Sequence, residues 1–146
     1  MSVYALDSNI ISFYLRGNVS VIENIEKAII EDHKIVIPPI VYYEVKRGLL
    51  LIDATKQMKK LEDFCKLFPV GELGDYLLEE AIKIYVHERK AKRNTEDADI
   101  FIAAFCIHNN YILVTDNLKH FQNMAELHSE NWVVDVQAMK STSKDF

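Results

Sequence analysis

The chain has 146 residues, 49% hydrophobic and 27% charged, which is the balance of one ordinary globular domain able to bury its own core. The formal net charge is −5, which argues against a broad basic surface for nucleic acid; contact with phosphate would need local positive charge or a bound cation. No apolar run nears the roughly 20 residues that span a bilayer, and Met1–Asp7 lacks the basic opening of a signal peptide.

Cys65 and Cys106 lie in apolar helical patterns without metal-ligand spacing, which predicts buried free thiols in a cytoplasmic protein. With 4 Gly and 3 Pro there are few breakers, no linker and no repeat. Residues 1–140 are expected to form a single domain, with 141–146 a polar tail.

Val3–Leu6 reads as a short buried strand ending at Asp7. Asp7 or Ser8 can cap a helix over Ile10–Leu15 that stops near Gly17. Val21, Ile22, Ile25, Ala28 and Ile29 have the spacing of a second helix. Lys34–Pro38 is a β-rich run closed by proline, and Pro39 suits the first turn of a helix carrying Val41, Tyr42, Val45 and Leu49. A further helix is expected over Thr55–Leu67, then an extended link at Pro69–Gly71, then an amphipathic helix over Asp75–Ala91.

Ile100–Ile107 is apolar almost all round and predicts a buried helix. Tyr111–Thr115 and Trp132–Val136 read as the third and fourth strands. Continuous apolar strands separated by helices predict an α/β fold with a parallel sheet covered on both faces. Ligands in such sheets bind at the carboxyl ends of the strands.

The acids fall at that edge. Asp7 follows the first strand and Asp116 the third. Asp97 and Asp99 stand where the buried helix begins, and Glu44 lies early in the helix after the second strand. Each acid alone is most simply a cap, a turn former or an exposed helix residue. Converging without basic partners, they would repel one another, and a hard divalent cation such as Mg²⁺ would relieve that repulsion. The chemistry that follows is phosphodiester hydrolysis by a metal-activated water.

Four segments also carry a resemblance. Leu6-Asp7-Ser8-Asn9, Glu44 with Gly48 four residues on, Asp99-Ile100-Phe101-Ile102-Ala103-Ala104 and Thr115-Asp116-Asn117 resemble, in order and spacing, the motifs of PIN-domain nucleases. The likeness is strongest to the VapC-type toxins of toxin–antitoxin modules, and it covers nearly the whole chain. The resemblance implies a three-layer α/β/α domain with a central, mainly parallel sheet of four to five strands. It also implies endonucleolytic cleavage of RNA, often structured or transfer RNA, with Mg²⁺ or Mn²⁺. Asp7 and Asp99 take the places of the principal metal ligands, and Glu44 completes the set or orients water. The family's fourth acid aligns with Asn117, while Asp116 stands one position early, so Asp97, Asp116 and Asn117 remain alternatives.

Ser8, Asn9, Arg47 and Thr115 are candidates for contacting substrate or supporting the acids. Arg89, Lys90, Lys92 and Arg93 can steer RNA or be a solvated helix end. His120 reads as a surface residue. The resemblance further implies a homodimer and a small antitoxin partner. The competing function is a degenerate PIN-like module that binds RNA or protein without cutting, for which Asn117 is the sequence hint.

Overall fold

The computed structural model describes residues 1–133. β1 (Val3–Leu6) lies between β2 (Lys34–Val36) and β3 (Ile112–Val114), and β3 is flanked by β4 (Ser129–Glu130). Every pairing is parallel, with Ala5 opposite both Val36 and Leu113. Parallel neighbours need crossovers, and helices supply them. α1 (Ser8–Leu15) and α2 (Val19–Ile30) join β1 to β2. α3 (Pro39–Leu51), α4 (Thr55–Leu67), α5 (Asp75–Lys90) and α6 (Asp97–Asn109) join β2 to β3, and the single turn α7 (Leu118–Phe121) precedes β4.

Successive strand residues point to opposite faces. Ala5 and Leu6 are both fully buried, as are Leu113 and Val114, so the central strands are covered on both sides. This is the mixed α/β architecture expected from the sequence. Val70 adds one parallel bridge to Ile37, anchored by Ile37 N–H donating to Pro69 O at 2.9 Å and Gly71 N–H to Ile37 O at 2.8 Å. The extended link at 69–71 thus forms a fifth, one-residue rung beyond the four strands. Among the described residues, no helix is long and apolar enough to cross a membrane.

The fourth strand is a correction. It was expected at Trp132–Val136, but pairing with β3 occurs at Ser129–Glu130. Leu113 N–H donates to His128 O at 2.8 Å and Thr115 N–H to Glu130 O at 2.9 Å, so the ladder is used up before Trp132. Trp132 is apolar because its ring packs into the core edge-on to Tyr4, 5.0 Å between centroids, not because it is in a strand. Residues 134–136 of that expected strand, and the tail at 141–146, lie outside the described residues.

Helix ends follow local chemistry. Asp7 caps α1, and Asn18 caps α2 by accepting from Val21 N–H at 3.0 Å. Pro39 opens α3, where its missing N–H costs nothing. α6 starts at Asp97, three residues ahead of its apolar run, because Glu96 holds the extended N-cap conformation. It ends on Asn110 in the left-handed region at φ 56°, a conformation asparagine tolerates. The early start puts Asp97 and Asp99 in the first turn of α6, at the carboxyl edge of the sheet.

Candidate active site

Asp7 is the centre of the constellation and is only 4% exposed. Its backbone N–H extends the ladder to Val114 O at 2.9 Å, which ties it to the end of β3. Its carboxylate is held by three residues. Ser8 N–H donates to Oδ1 at 2.7 Å, the Thr115 hydroxyl donates to Oδ2 at 2.7 Å, and the Asn9 amide approaches Oδ2 at 3.5 Å. Thr115 is itself fully buried and accepts from Asn117 N–H at 3.0 Å. These are the donors a buried carboxylate needs, and none is a cation.

Glu44 is half-buried on α3, which packs against α1 and α6. Burial pushes its carboxyl above the ordinary glutamate range; the charge of Asp7 adds to this, Arg47 opposes it, and Asp99 and Glu96 add further. Asp99, with a side chain 19% exposed, is raised first by burial and then by Asp7 and Glu96, while its bond to His120 works the other way. The acids of three separate elements therefore act on one another electrostatically. Arg47 is the cation that acts on Glu44, and its guanidinium lies over the Tyr43 ring, 4.8 Å from the centroid. A groove of about 340 Å³ beside them is lined by Ser8, Ser12, Glu44, Arg47 and Gly48.

Among the described residues, no three acids, histidines or cysteines stand close enough to form a ready-made cage. The donors are nonetheless hard oxygens on rigid elements, with mutual repulsion that a cation would relieve. Mg²⁺ and Mn²⁺ keep several waters and need only one or two carboxylates directly, so this open set fits such an ion.

The other candidates divide. Asn9 spans the site: its Oδ1 accepts from Asp116 N–H at 3.0 Å while its amide approaches Asp7. Asp116 is exposed, and its carboxylate is tied to Asn131, whose amide donates at 2.9 Å. Asn117 is exposed and uses its backbone N–H on Thr115. Asp97 is exposed in the first turn of α6. Arg89 and Arg93 of the basic run are engaged with their own chain.

Sequence reasoning set His120 down as a surface residue and missed its partner. Its ring remains 56% exposed, but Nδ1 lies 3.0 Å from Asp99 Oδ2. The available signal was its place three residues past Asn117, in a helical turn that leaves the carboxyl end of β3. Glu96 and Asn131 were also missed: Glu96 acts by its charge on Asp99 and Glu44, and Asn131 donates to Asp116.

The chain is similar to known proteins. Over 75 residues the chain is 35% identical to ribonuclease VapC1 of Methanocaldococcus jannaschii, an alignment covering 51% of this chain. The match spans about half the length of that relative, 55%. The fold is similar to that in the crystal structure of VapBC2 from Rickettsia felis bound to a promoter DNA fragment, with TM-score 0.83, 23% identity and coverage of 89% of this chain and 98% of that one. It is also similar to that of DNA-bound VapBC from Salmonella typhimurium, with TM-score 0.81, 18% identity and coverage of 90% and 99%. The PIN domain family model matches residues 4–127, a span that includes most of β1, all four acidic segments and α7, and the chain belongs to the PIN domain family.

Proposed function

We propose that the chain is an endoribonuclease dependent on Mg²⁺ or Mn²⁺, acting as the toxin of a type II toxin–antitoxin pair. The observation that carries this reading is the gathering of Glu44 and Asp99, each raised first by burial and then by the charge of Asp7, around a buried Asp7 carboxylate held only by neutral donors. In this reading Asp7 and Asp99 are the principal ligands and Glu44 completes the set or orients water. The ion, when bound, lowers the pKa of a coordinated water and stabilises charge on the scissile phosphate.

The chain's own groups do the rest. Ser8 N–H and Thr115 Oγ1 hold the Asp7 carboxylate with both oxygens committed to a fixed plane. The Asp7–Thr115 bond is shielded from water, which strengthens it and keeps the carboxylate in place as charge develops nearby. Arg47 and the Ser8 and Ser12 hydroxyls offer cationic and hydrogen-bonding contacts to an RNA phosphate in the adjacent groove. The VapC and VapBC names of the relatives support an antitoxin partner, and the motif resemblance supports a homodimer and a structured RNA such as transfer RNA as substrate.

The test is cleavage by the purified protein. RNA should be cut with Mg²⁺ or Mn²⁺ and spared with EDTA. Asp7→Asn and Asp99→Asn should each lower the rate by at least about 100-fold with circular dichroism unchanged. A folded wild type that binds RNA yet cuts none with either ion would favour the degenerate-module reading, for which Asn117 at the fourth acidic place is the supporting observation.

A further inference from the structure

Glu88 is fully buried near the end of α5, outside the candidate site, and the chemistry above does not use it. Its carboxylate is nevertheless saturated with donors. Arg93 gives Nε at 2.9 Å and a second bond from Nη2, both to Oε2, and the Thr95 hydroxyl gives 2.8 Å to Oε1. Arg93 N–H also donates to Glu88 O at 2.9 Å. Arg89, stacked over Tyr85, wraps the same loop from outside, donating to Arg93 O at 2.8 Å and Thr95 O at 3.3 Å. The turn is closed by Lys92 in the left-handed region at φ 61°. The arginines of an apparent RNA-steering run are thus spent on ordering residues 91–95.

That loop leads into α6, and α6 has an unusual problem. Ile100, Ile102, Ala103, Ala104, Phe105 and Cys106 are all buried, so most of the circumference faces the interior and only a narrow stripe through Asp97 and His108 is left exposed. Apolar burial is non-directional. With apolar side chains around most of the helix, burial alone fixes its exact rotation and rise only loosely, and a turn of one residue would swing Asp99 away from Asp7 by several ångströms. Directional bonds at the helix ends must therefore settle its rotation and axial register. At the C-terminal end Asn109 donates to the Tyr76 hydroxyl at 3.2 Å. At the N-terminal end, immediately before the Glu96 cap, Thr95 is held by its hydroxyl on Glu88 and by Arg89 on its carbonyl.

We infer that Glu88, with Arg93 and Thr95, is a positioning device that sets the register of α6 and so presents Asp99 to the metal held with Asp7. A buried polar network that selects one register among near-equivalent apolar packings is the use best attested for such groups. The inference rests on the metal-binding role proposed above.

Titration of the metal-free protein with Mn²⁺, followed by electron paramagnetic resonance of the free ion, tests it without relying on cleavage. Glu88→Gln weakens Mn²⁺ binding about tenfold, and Thr95→Val, which keeps the side-chain shape but removes the hydroxyl, about threefold. Thr95→Ser restores the hydroxyl and binds within about twofold of wild type, a rescue that general loosening of the fold would not give. If Glu88→Gln fails to fold, the Thr95 pair decides. Folded variants that all bind Mn²⁺ as the wild type does overturn the positioning role and leave the proposed function standing. A wild type that binds no Mn²⁺ overturns both.

Discussion

Thr115 and Asp7, 108 residues apart in the chain, are joined by a buried 2.7 Å hydrogen bond from the threonine hydroxyl to the aspartate carboxylate. The bond is possible because β1 and β3 are parallel neighbours with Leu6 opposite Val114, so the next residue of each strand arrives at the same edge. Thr115→Val keeps the shape and removes the donor, leaving a buried carboxylate oxygen short of a partner. Urea denaturation should show a loss of about 1–3 kcal/mol, and Thr115→Ser should recover most of it. Equal stability of the valine and serine variants would contradict the claim.

Repulsion among the acids has a cost that the metal-free protein bears. Glu44 is raised by burial and then by Asp7, so the folded state binds its proton more tightly than the unfolded state does. Stability from this group is therefore fully present below the unfolded glutamate pKa and declines as pH rises through the folded one. At pH 7 Glu44→Gln should stabilise the metal-free protein by about 1 kcal/mol while lowering cleavage, the usual conflict between a site and its scaffold. Adding Mn²⁺ should raise the melting temperature of the wild type more than that of the variant. A glutamine variant less stable than wild type in EDTA would refute this ordering.

Asp116 stands one residue from the family's fourth acidic place, and its side chain is bonded to Asn131 on the far side of the turn. Its backbone N–H, by contrast, serves the site by donating to Asn9. Asp116→Asn preserves the backbone bond and the turn, so cleavage should stay within about tenfold of wild type while Asp99→Asn removes it. Comparable losses in the two variants, measured on one RNA at saturating Mg²⁺, would make Asp116 the residue that fills the fourth acidic place.

Much of this was legible before any coordinates. Strand ends and helix starts are local signals, and Asp7, Glu44 and Asp99 could be placed at one edge by counting elements and assuming a parallel sheet. The fourth strand was misplaced because apolar content stood in for pairing: Ser129 and Glu130 carry backbone bonds with little apolar signal, whereas Trp132 carries apolar signal without a rung. Side-chain direction was not legible either. Nothing in a run of Arg, Lys and His says that Arg93 turns onto a buried Glu88, or that His120 leans on Asp99, because those choices are set by partners on other elements or across a loop.

Two glycines should respond oppositely to a methyl group. A Cβ at Gly71 would lie 2.4 Å from the Phe105 ring, which is buried and stands edge-on to Tyr111. A buried ring would have to shift to admit the methyl group, so Gly71→Ala should destabilise by about 1–3 kcal/mol. Gly48 lies inside α3 with nothing within 4 Å of its Cβ position, so Gly48→Ala should stabilise by about 0.5–1 kcal/mol through the unfolded chain. Urea midpoints of the two variants, measured side by side, check both signs.

The buried clip of α5 predicts an acid limb in the stability profile. Hydrogen bonds from Arg93 hold the Glu88 carboxyl below the usual glutamate range; burial opposes them, while Thr95, the Arg93 charge and His87 reinforce them. The unfolded chain then takes up this proton at a higher pH than the folded protein does. The contribution is complete above the unfolded pKa and is lost as pH falls through the folded value. Between pH 6 and 3 the urea midpoint of the wild type should therefore fall more steeply than that of Glu88→Gln, which has no proton to gain. At pH 7 the glutamine variant should be the weaker by about 1–2 kcal/mol, since it trades charge-assisted bonds for neutral ones in a buried position. Parallel acid limbs in the two proteins would mean that the Glu88 carboxylate contributes nothing to the pH dependence of the fold.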